Sequence, residues 1–298
     1  MSARLAAAPA ATPSSAARGV GCILASALLF STAGLFTGLV AADPWTILVW
    51  RGVCGGLFLA GCVAWQGGLR ALHPWRWLSR PALAAAGCST LGTLLYIHAL
   101  RLSSVAEVTL LFATAPFLAA AFAWAWHGEK PARATLLASL LALAGVALMT
   151  GAAPGSGHLL GNLLALGMTA LIAAMMVIIR RHRALPMLPA ACLSAFASAL
   201  LALPLARPFA VTGAEAGWLA LFGAGQFGLG LLLLTQGSRL LPGARAALLG
   251  NAELPLAPLW VWLAFGSLPP AGAWAGGLVV VLALAIDLLA ARQAAAPR

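Results

Sequence analysis

Charge is scarce in this sequence. Only 8% of its 298 residues are charged, and acidic side chains number six against 17 Lys and Arg. A water-soluble domain of this size needs a much larger polar skin, so a soluble globule is excluded. Tyrosine occurs once, at Tyr96. The five cysteines (Cys22, Cys54, Cys62, Cys88 and Cys192) all lie inside apolar runs without metal-ligand spacing. They read as packed, reduced thiols and leave neither a disulfide framework nor a metal site. No Gly-x-x-x-x-Gly-Lys phosphate loop is present, so direct use of ATP by this chain is excluded. His-Glu-x-x-His, Gly-x-Ser-x-Gly and paired aspartates within apolar runs are missing too, which removes the side-chain sets of an intramembrane enzyme. The expectation is no enzyme activity, no cofactor and no metal.

What the chain does have is apolar length. It is 62% hydrophobic, with mean hydropathy +0.99. A helix of about 20 apolar residues crosses the hydrocarbon of a bilayer. Such segments recur at Gly19–Val40, Trp45–Gln66, Pro81–Leu100, Ser104–Trp126, Arg133–Thr150, Leu159–Ile179, Met187–Ala206, Gly217–Gln236, Gly243–Phe265 and Ala271–Ala291. The expected fold is all-α and integral to the membrane, with ten transmembrane helices. Residues 19–40 are longer than the apolar core of a leader peptide and are read as the first span. The Ala/Pro/Ser-rich stretch 1–18 reads as a disordered tail.

The net charge of +11 invites a nucleic-acid reading, but the distribution along the chain argues otherwise. With the N-terminus inside, the cytoplasmic segments hold Arg4, Arg18, Arg70, Arg76, Arg80, Lys130, Arg133, Arg180, Arg181, Arg183, Arg239, Arg292 and Arg298. The outer loops hold only Arg101 and Arg207. That asymmetry is the positive-inside pattern. It explains the high pI, removes the need for nucleic acid, and places both termini in the cytoplasm of an inner-membrane protein. Tryptophans fall near the ends of spans, as interfacial anchors do, and Trp75-Arg76-Trp77 reads as a segment lying on the inner surface.

The two halves echo each other. Arg101-Leu102 recurs as Arg239-Leu240, and Pro131 as Pro269, both 138 positions on; Pro116 and Pro255 differ by 139. The chain divides into a tail (1–18), a first five-span repeat (19–150), a second (157–291) and a short C-terminal tail (292–298). Five is odd, so the second copy threads the membrane in the opposite sense. The expected architecture is a 5+5 inverted repeat with its site between the halves near the midplane.

Polar groups inside spans are the candidates for that site, because each is expensive in hydrocarbon. Matching depths at roughly 1.5 Å per residue pairs Arg51 with Glu253 or Glu107, and Arg245 with Asp287, as structural charge pairs. Glu107 also fits a capping box with Ser104. Glu253 stands mid-span shortly before Pro255 and has no such local explanation. It is the leading candidate to meet a substrate amine or a proton. Tyr96, His98, Thr114, Gln226 and Asn251 complete the substrate-binding candidates, with Thr93 beside Tyr96 on one helical face. Pro116 and Pro255 are expected to kink their helices. Gly223, Gly225, Gly228 and Gly230 surround Gln226 and read as a close-packing stripe.

Ala115-Pro116-Phe117, then Gly128-Glu129, then Glu253 ahead of Pro255, set on ten spans, resemble the drug/metabolite transporter superfamily, EamA type. The resemblance spans about residues 19–291 and extends to bacterial exporters of neutral and aromatic amino acids and related metabolites. It implies a basket around a central cavity, with the third, fourth, eighth and ninth spans lining it, the first and sixth beside them, and alternating access. Two features depart from the family pattern: Gly266-Ser267 stands where the first half has Gly128-Glu129, and Leu254 separates Glu253 from Pro255. The expected function is export of a small amphipathic metabolite, most simply a neutral or aromatic amino acid, by a monomer whose partners are its substrate and the lipid bilayer. Proton-coupled export of drugs is the alternative, and a membrane sensor or scaffold the alternative of another class.

Overall fold

The computed structural model describes residues 13–68, 79–103, 105–151, 159–183, 187–266 and 268–295. Trp75-Arg76-Trp77, Ser104 and Ser267 lie outside them. The described residues are helical with no strand, and ten helices are long and apolar enough to cross a membrane. Spans 1 to 10 are Ser15–Leu39, Pro44–Gly67, Arg80–Ala99, Glu107–Trp126, Arg133–Thr150, Leu159–Arg181, Leu188–Leu205, Gly213–Leu240, Gly243–Phe265 and Ala271–Gln293. The helix of span 1 starts at Pro13, earlier than the disordered tail 1–18 allowed. Proline suits a first helical position, where its missing N–H is not needed.

Helix ends follow local chemistry. Asp43 caps span 2, accepting the Trp45 amide at 2.9 Å and the Thr46 amide at 3.1 Å, with Pro44 at the first helical position. Thr212 and Glu215 form a reciprocal capping box at the start of span 8. Glu215 also accepts the Ala41 amide at 3.1 Å, which ties the end of span 1 to the start of span 8. Spans 4, 5 and 9 stop at Gly128, Gly151 and Gly266, all with positive φ, where L side chains are strained.

Packing shows a regular pattern. Span 1 packs on span 8 and span 6 on span 3; span 2 packs on span 7, span 5 on span 10, and span 4 on span 9. Renumbering each span by five leaves this set of pairs unchanged. Glycines mark equivalent crossings. A side chain at Gly19 would sit 2.9 Å from Leu240 Cβ, and one at Gly161 would sit 2.5 Å from the Leu102 carbonyl oxygen. Leu102 and Leu240 are 138 positions apart. Spans 5 and 10 cross backbone to backbone at Gly145 and Gly276. Without water to drive helices together, such close van der Waals approach is what holds a membrane bundle.

The pattern is broken at one end. Span 6 also packs on spans 8 and 9. Arg180 Nη1 donates to the Arg239 carbonyl at 3.2 Å there, and Gly243 abuts Val177. This is the end that carries Arg18, Lys130, Arg180, Arg183 and Arg239, and is called the basic end below. Among the described residues, the equivalent approach of span 1 to spans 3 and 4 at the opposite end is not formed to the same extent.

Candidate functional site

Spans 4 and 9 are each interrupted midway. Span 4 runs as Val105–Phe112, a turn at Ala113-Thr114, then Ala115–His127. Span 9 runs as Gly243–Gly250, a turn at Asn251-Ala252, then Glu253–Phe265. The turns are 138 positions apart. Pro116 and Pro255 stand in the first turn of the second half-helices, where a proline ring opposes the carbonyl four residues back. The prolines therefore mark the breaks, and the turns lie just N-terminal to them.

The two turns are tied to each other. Asn251 is 1% exposed and its Nδ2 donates to the Ala113 carbonyl at 3.3 Å. Asn251 Oδ1 is buried without a partner. Thr114 Oγ1 donates at 2.6 Å to the Leu111 carbonyl, which relieves the interrupted ladder. Glu253 is the first residue of its half-helix, so its carboxylate sits at a positive helix end. Span 1 has a similar interruption at Thr32. Close by, Gln226 Nε2 donates to the Phe30 carbonyl at 3.2 Å, and Trp260 Nε1 donates to Ser31 Oγ at 2.9 Å. Gln226 lies in a π-helical stretch, Phe222–Leu229, and its Oε1 is also buried without a partner.

Arg51 is placed differently from the expected charge pair. Among the described residues no carboxylate pairs with it. Its guanidinium lies 4.5 Å from the Phe227 ring centroid and 5.9 Å from that of Phe222. The rings offer their electron-rich faces in a setting where an ammonium or guanidinium is otherwise short of partners. Depth along a helix axis gives height only and says nothing about direction around the axis. That is why a depth match with Glu253 or Glu107 fails to predict contact. Tyr96 stands within electrostatic range of both Arg51 and Glu253. Tyr96 itself is 39% exposed, so it keeps a free face.

The remaining candidates lie elsewhere. His98 is exposed, meets the Leu94 carbonyl at 2.9 Å through Nδ1, and packs edge-on against Trp45 at the start of span 2. Glu107 is 8% exposed and accepts from Ser103 Oγ, which also lies 2.6 Å from Asn162 Oδ1. The capping partner expected for it, Ser104, is outside the described residues. Arg245 Nε donates to Asp287 Oδ2 at 2.8 Å, and Thr135 Oγ1 donates to Asp287 Oδ1 at 2.6 Å. This trio lines a recess of about 410 Å³ at the basic end. No group of His, Cys, Asp and Glu able to hold a metal occurs among the described residues. Sequence reasoning missed Phe222, Phe227, Trp260 and Asn162. The π-helical stretch that aims the two phenylalanines has no periodicity signal of its own.

Residues 17–151 match the EamA-like transporter family. That family belongs to the drug/metabolite transporter superfamily, so the resemblance read from the sequence is found again in this match. The EamA-like segment holds Arg51, Tyr96 and the break at Ala113-Thr114. Gln226, Asn251 and Glu253 come from the other half of the chain. A solved protein, described as "Crystal structure of protein", superposes with a TM-score of 0.79 at 24% identity, over 94% of this chain and 99% of its own. At that identity the likeness speaks for the fold of the whole chain. No curated protein matches the sequence.

Proposed function

We propose that the chain is a secondary transporter of the inner membrane that exports small amphipathic metabolites, first among them neutral or aromatic amino acids, by alternating access. One observation carries this reading. Tyr96, 39% exposed, stands within electrostatic range of both a cation on span 2, Arg51, and a carboxylate at a half-helix end on span 9, Glu253. A zwitterion carries the complementary pair of charges, with its carboxylate suited to Arg51 and its ammonium to Glu253. Tyr96 supplies aromatic surface for a side chain, while Phe222 and Phe227, buried against Arg51, hold its guanidinium. Interrupted spans in equivalent places of the two halves are the feature by which transporters build a site at the repeat interface. The exchange symmetry of the helix pairs fits an inverted repeat, and the positive-inside pattern fits cytoplasmic termini.

The fold pattern also suggests a state. Spans 6, 8 and 9 close on one another at the basic end, while the matching approach of span 1 to spans 3 and 4 is looser. We read this asymmetry, together with the positive-inside pattern, as a protein shut towards the cytoplasm. Export then requires these contacts to part. The test is counterflow of labelled amino acids in proteoliposomes, scored against empty vesicles. Uptake of neutral or aromatic amino acids is expected; no uptake of any of them would count against the substrate class. Uptake of cationic drugs driven only by a pH gradient would favour proton antiport, for which Glu253 is the available carboxylate. Thermal stabilisation by a protein partner alone would favour the scaffold reading.

A further inference from the structure

Three arginines from separate parts of the chain converge on one recess at the basic end. Arg18 comes from span 1, Arg183 follows span 6, and Arg239 is in the last turn of span 8. With Gln236 they line a cavity of about 310 Å³. Arg239 donates from Nε to the Arg183 carbonyl at 2.8 Å and also from Nη2. That leaves the rest of its five-donor fork unspent. Neither Arg18 nor Arg239 has a carboxylate partner among the described residues. Arg18 and Arg239 line the recess with no carboxylate among its lining residues, which favours an anion there, and guanidinium fork geometry suits the oxygens of a phosphate.

We propose that this recess is an anion site for a phosphate group, and that the bound anion clasps spans 1, 6 and 8 together. The ligand class is a phosphate-bearing anion, either the headgroup of an anionic phospholipid or a soluble phosphate. Arg183 and Arg239 lie at the ends of their spans and Arg18 in the second turn of its helix, the positions that juxtamembrane basic residues take near headgroups. They also border the closed end: span 1 crosses span 8 at Gly19, and Arg180 and Arg239 link the ends of spans 6 and 8 through backbone carbonyls. An anion shared among them stabilises that closure, and by reciprocity closure tightens the anion. The regulatory part rests on the alternating-access reading above; the binding part does not.

The experiment is a melting titration of the full purified chain in neutral detergent at constant ionic strength, with three additives: phosphatidylglycerol, phosphatidylcholine and inorganic phosphate. Phosphatidylglycerol is expected to raise the melting temperature well above phosphatidylcholine. Arg18→Ala should reduce that rise by at least half, because the site loses a cation without a carboxylate partner while the Arg239 latch stays intact. Arg292→Ala, at the same end but outside the recess, should keep the full rise. A rise with inorganic phosphate that Arg18→Ala removes, and none with the lipid, assigns the site to a soluble phosphate. Equal rises in wild type and Arg18→Ala, or equal rises with both lipids, overturn the proposal. These readings need no transport, so failed counterflow leaves the anion site standing and removes only its regulatory role.

Discussion

Single side chains in this protein gain their meaning from what surrounds them in an apolar medium. Glu253 and Arg51 both lie within electrostatic range of Tyr96, and Arg51 rests against aromatic rings instead of a carboxylate. If they hold the two charges of a substrate, Glu253→Gln should weaken it by about 1.5–3 kcal/mol, the size of a charge-assisted contact, or about 10- to 150-fold in apparent affinity. Melting of the unliganded protein should change little. A binding titration next to a melting curve separates the two. Asp287 is the opposite case, 2% exposed and fully engaged by Arg245 and Thr135. Arg245→Ala should destabilise by about 3–5 kcal/mol, because it strands a buried carboxylate; chemical denaturation in mild detergent reads this directly. Asp43, outside the spans, links stability to pH. Burial raises its carboxyl, but the Thr46 hydroxyl and the amides of Thr46 and Trp45 outweigh that and leave it below the ordinary value. A carboxyl lowered in the folded state contributes fully above the unfolded value of about 3.9, and loses that contribution as pH falls through the folded value. Asp43→Ala should cost about 0.5–2 kcal/mol at neutral pH. The difference from wild type should vanish in strong acid.

At the scale of the helix, close contact decides stability. Gly161 leaves no room for a side chain, since a Cβ there meets the Leu102 carbonyl oxygen at 2.5 Å. Backbone cannot swing aside as a side-chain tip can, so Gly161→Ala should lower stability by about 1–3 kcal/mol. Gly21 has nothing within 4 Å of the same atom, and Gly21→Ala should melt at or slightly above wild type. Equal melting of the two variants would remove the crossing at Gly161 as a determinant. The broken helices show what was and was not legible. Pro116 and Pro255 announce interruptions, because a ring without an N–H cannot continue a helix behind it. The link from Asn251 to the Ala113 carbonyl could have been drawn only by applying the 138-residue offset to a pair with no sequence likeness. The π-helical stretch at Phe222–Leu229 leaves no mark in the residue pattern beyond its glycines.

For the molecule as a whole, Gly19 in span 1 abuts Leu240 and Leu241, and Ala290 and Ala291 of span 10 line one recess with Gly243 and Lys130, which fits termini on one side. Single cysteines placed at residues 14 and 294, in a background without the native five, should both react with an impermeant maleimide only after the inner face is opened. Labelling at opposite faces would remove the even span count. The same reagent tests the closed state. A cysteine in the recess lined by Arg18 and Gln236 should be slow to react without substrate and faster during counterflow, if the basic end opens in the transport cycle.

Ten helices long and apolar enough to cross a membrane, and the uneven spread of arginine and lysine among the segments between them, are properties of composition and order, because hydrocarbon selects apolar length. They can be read without coordinates. Which polar groups meet is another matter, since it depends on rotation about each helix axis and on how closely glycines let backbones approach. Only the folded chain could put Phe227 under Arg51 instead of a carboxylate, set His98 against Trp45, and bring Arg18, Arg183 and Arg239 to one recess. These residues lie between 53 and 221 positions apart along the chain and have no local signal for meeting; packing alone brings them together.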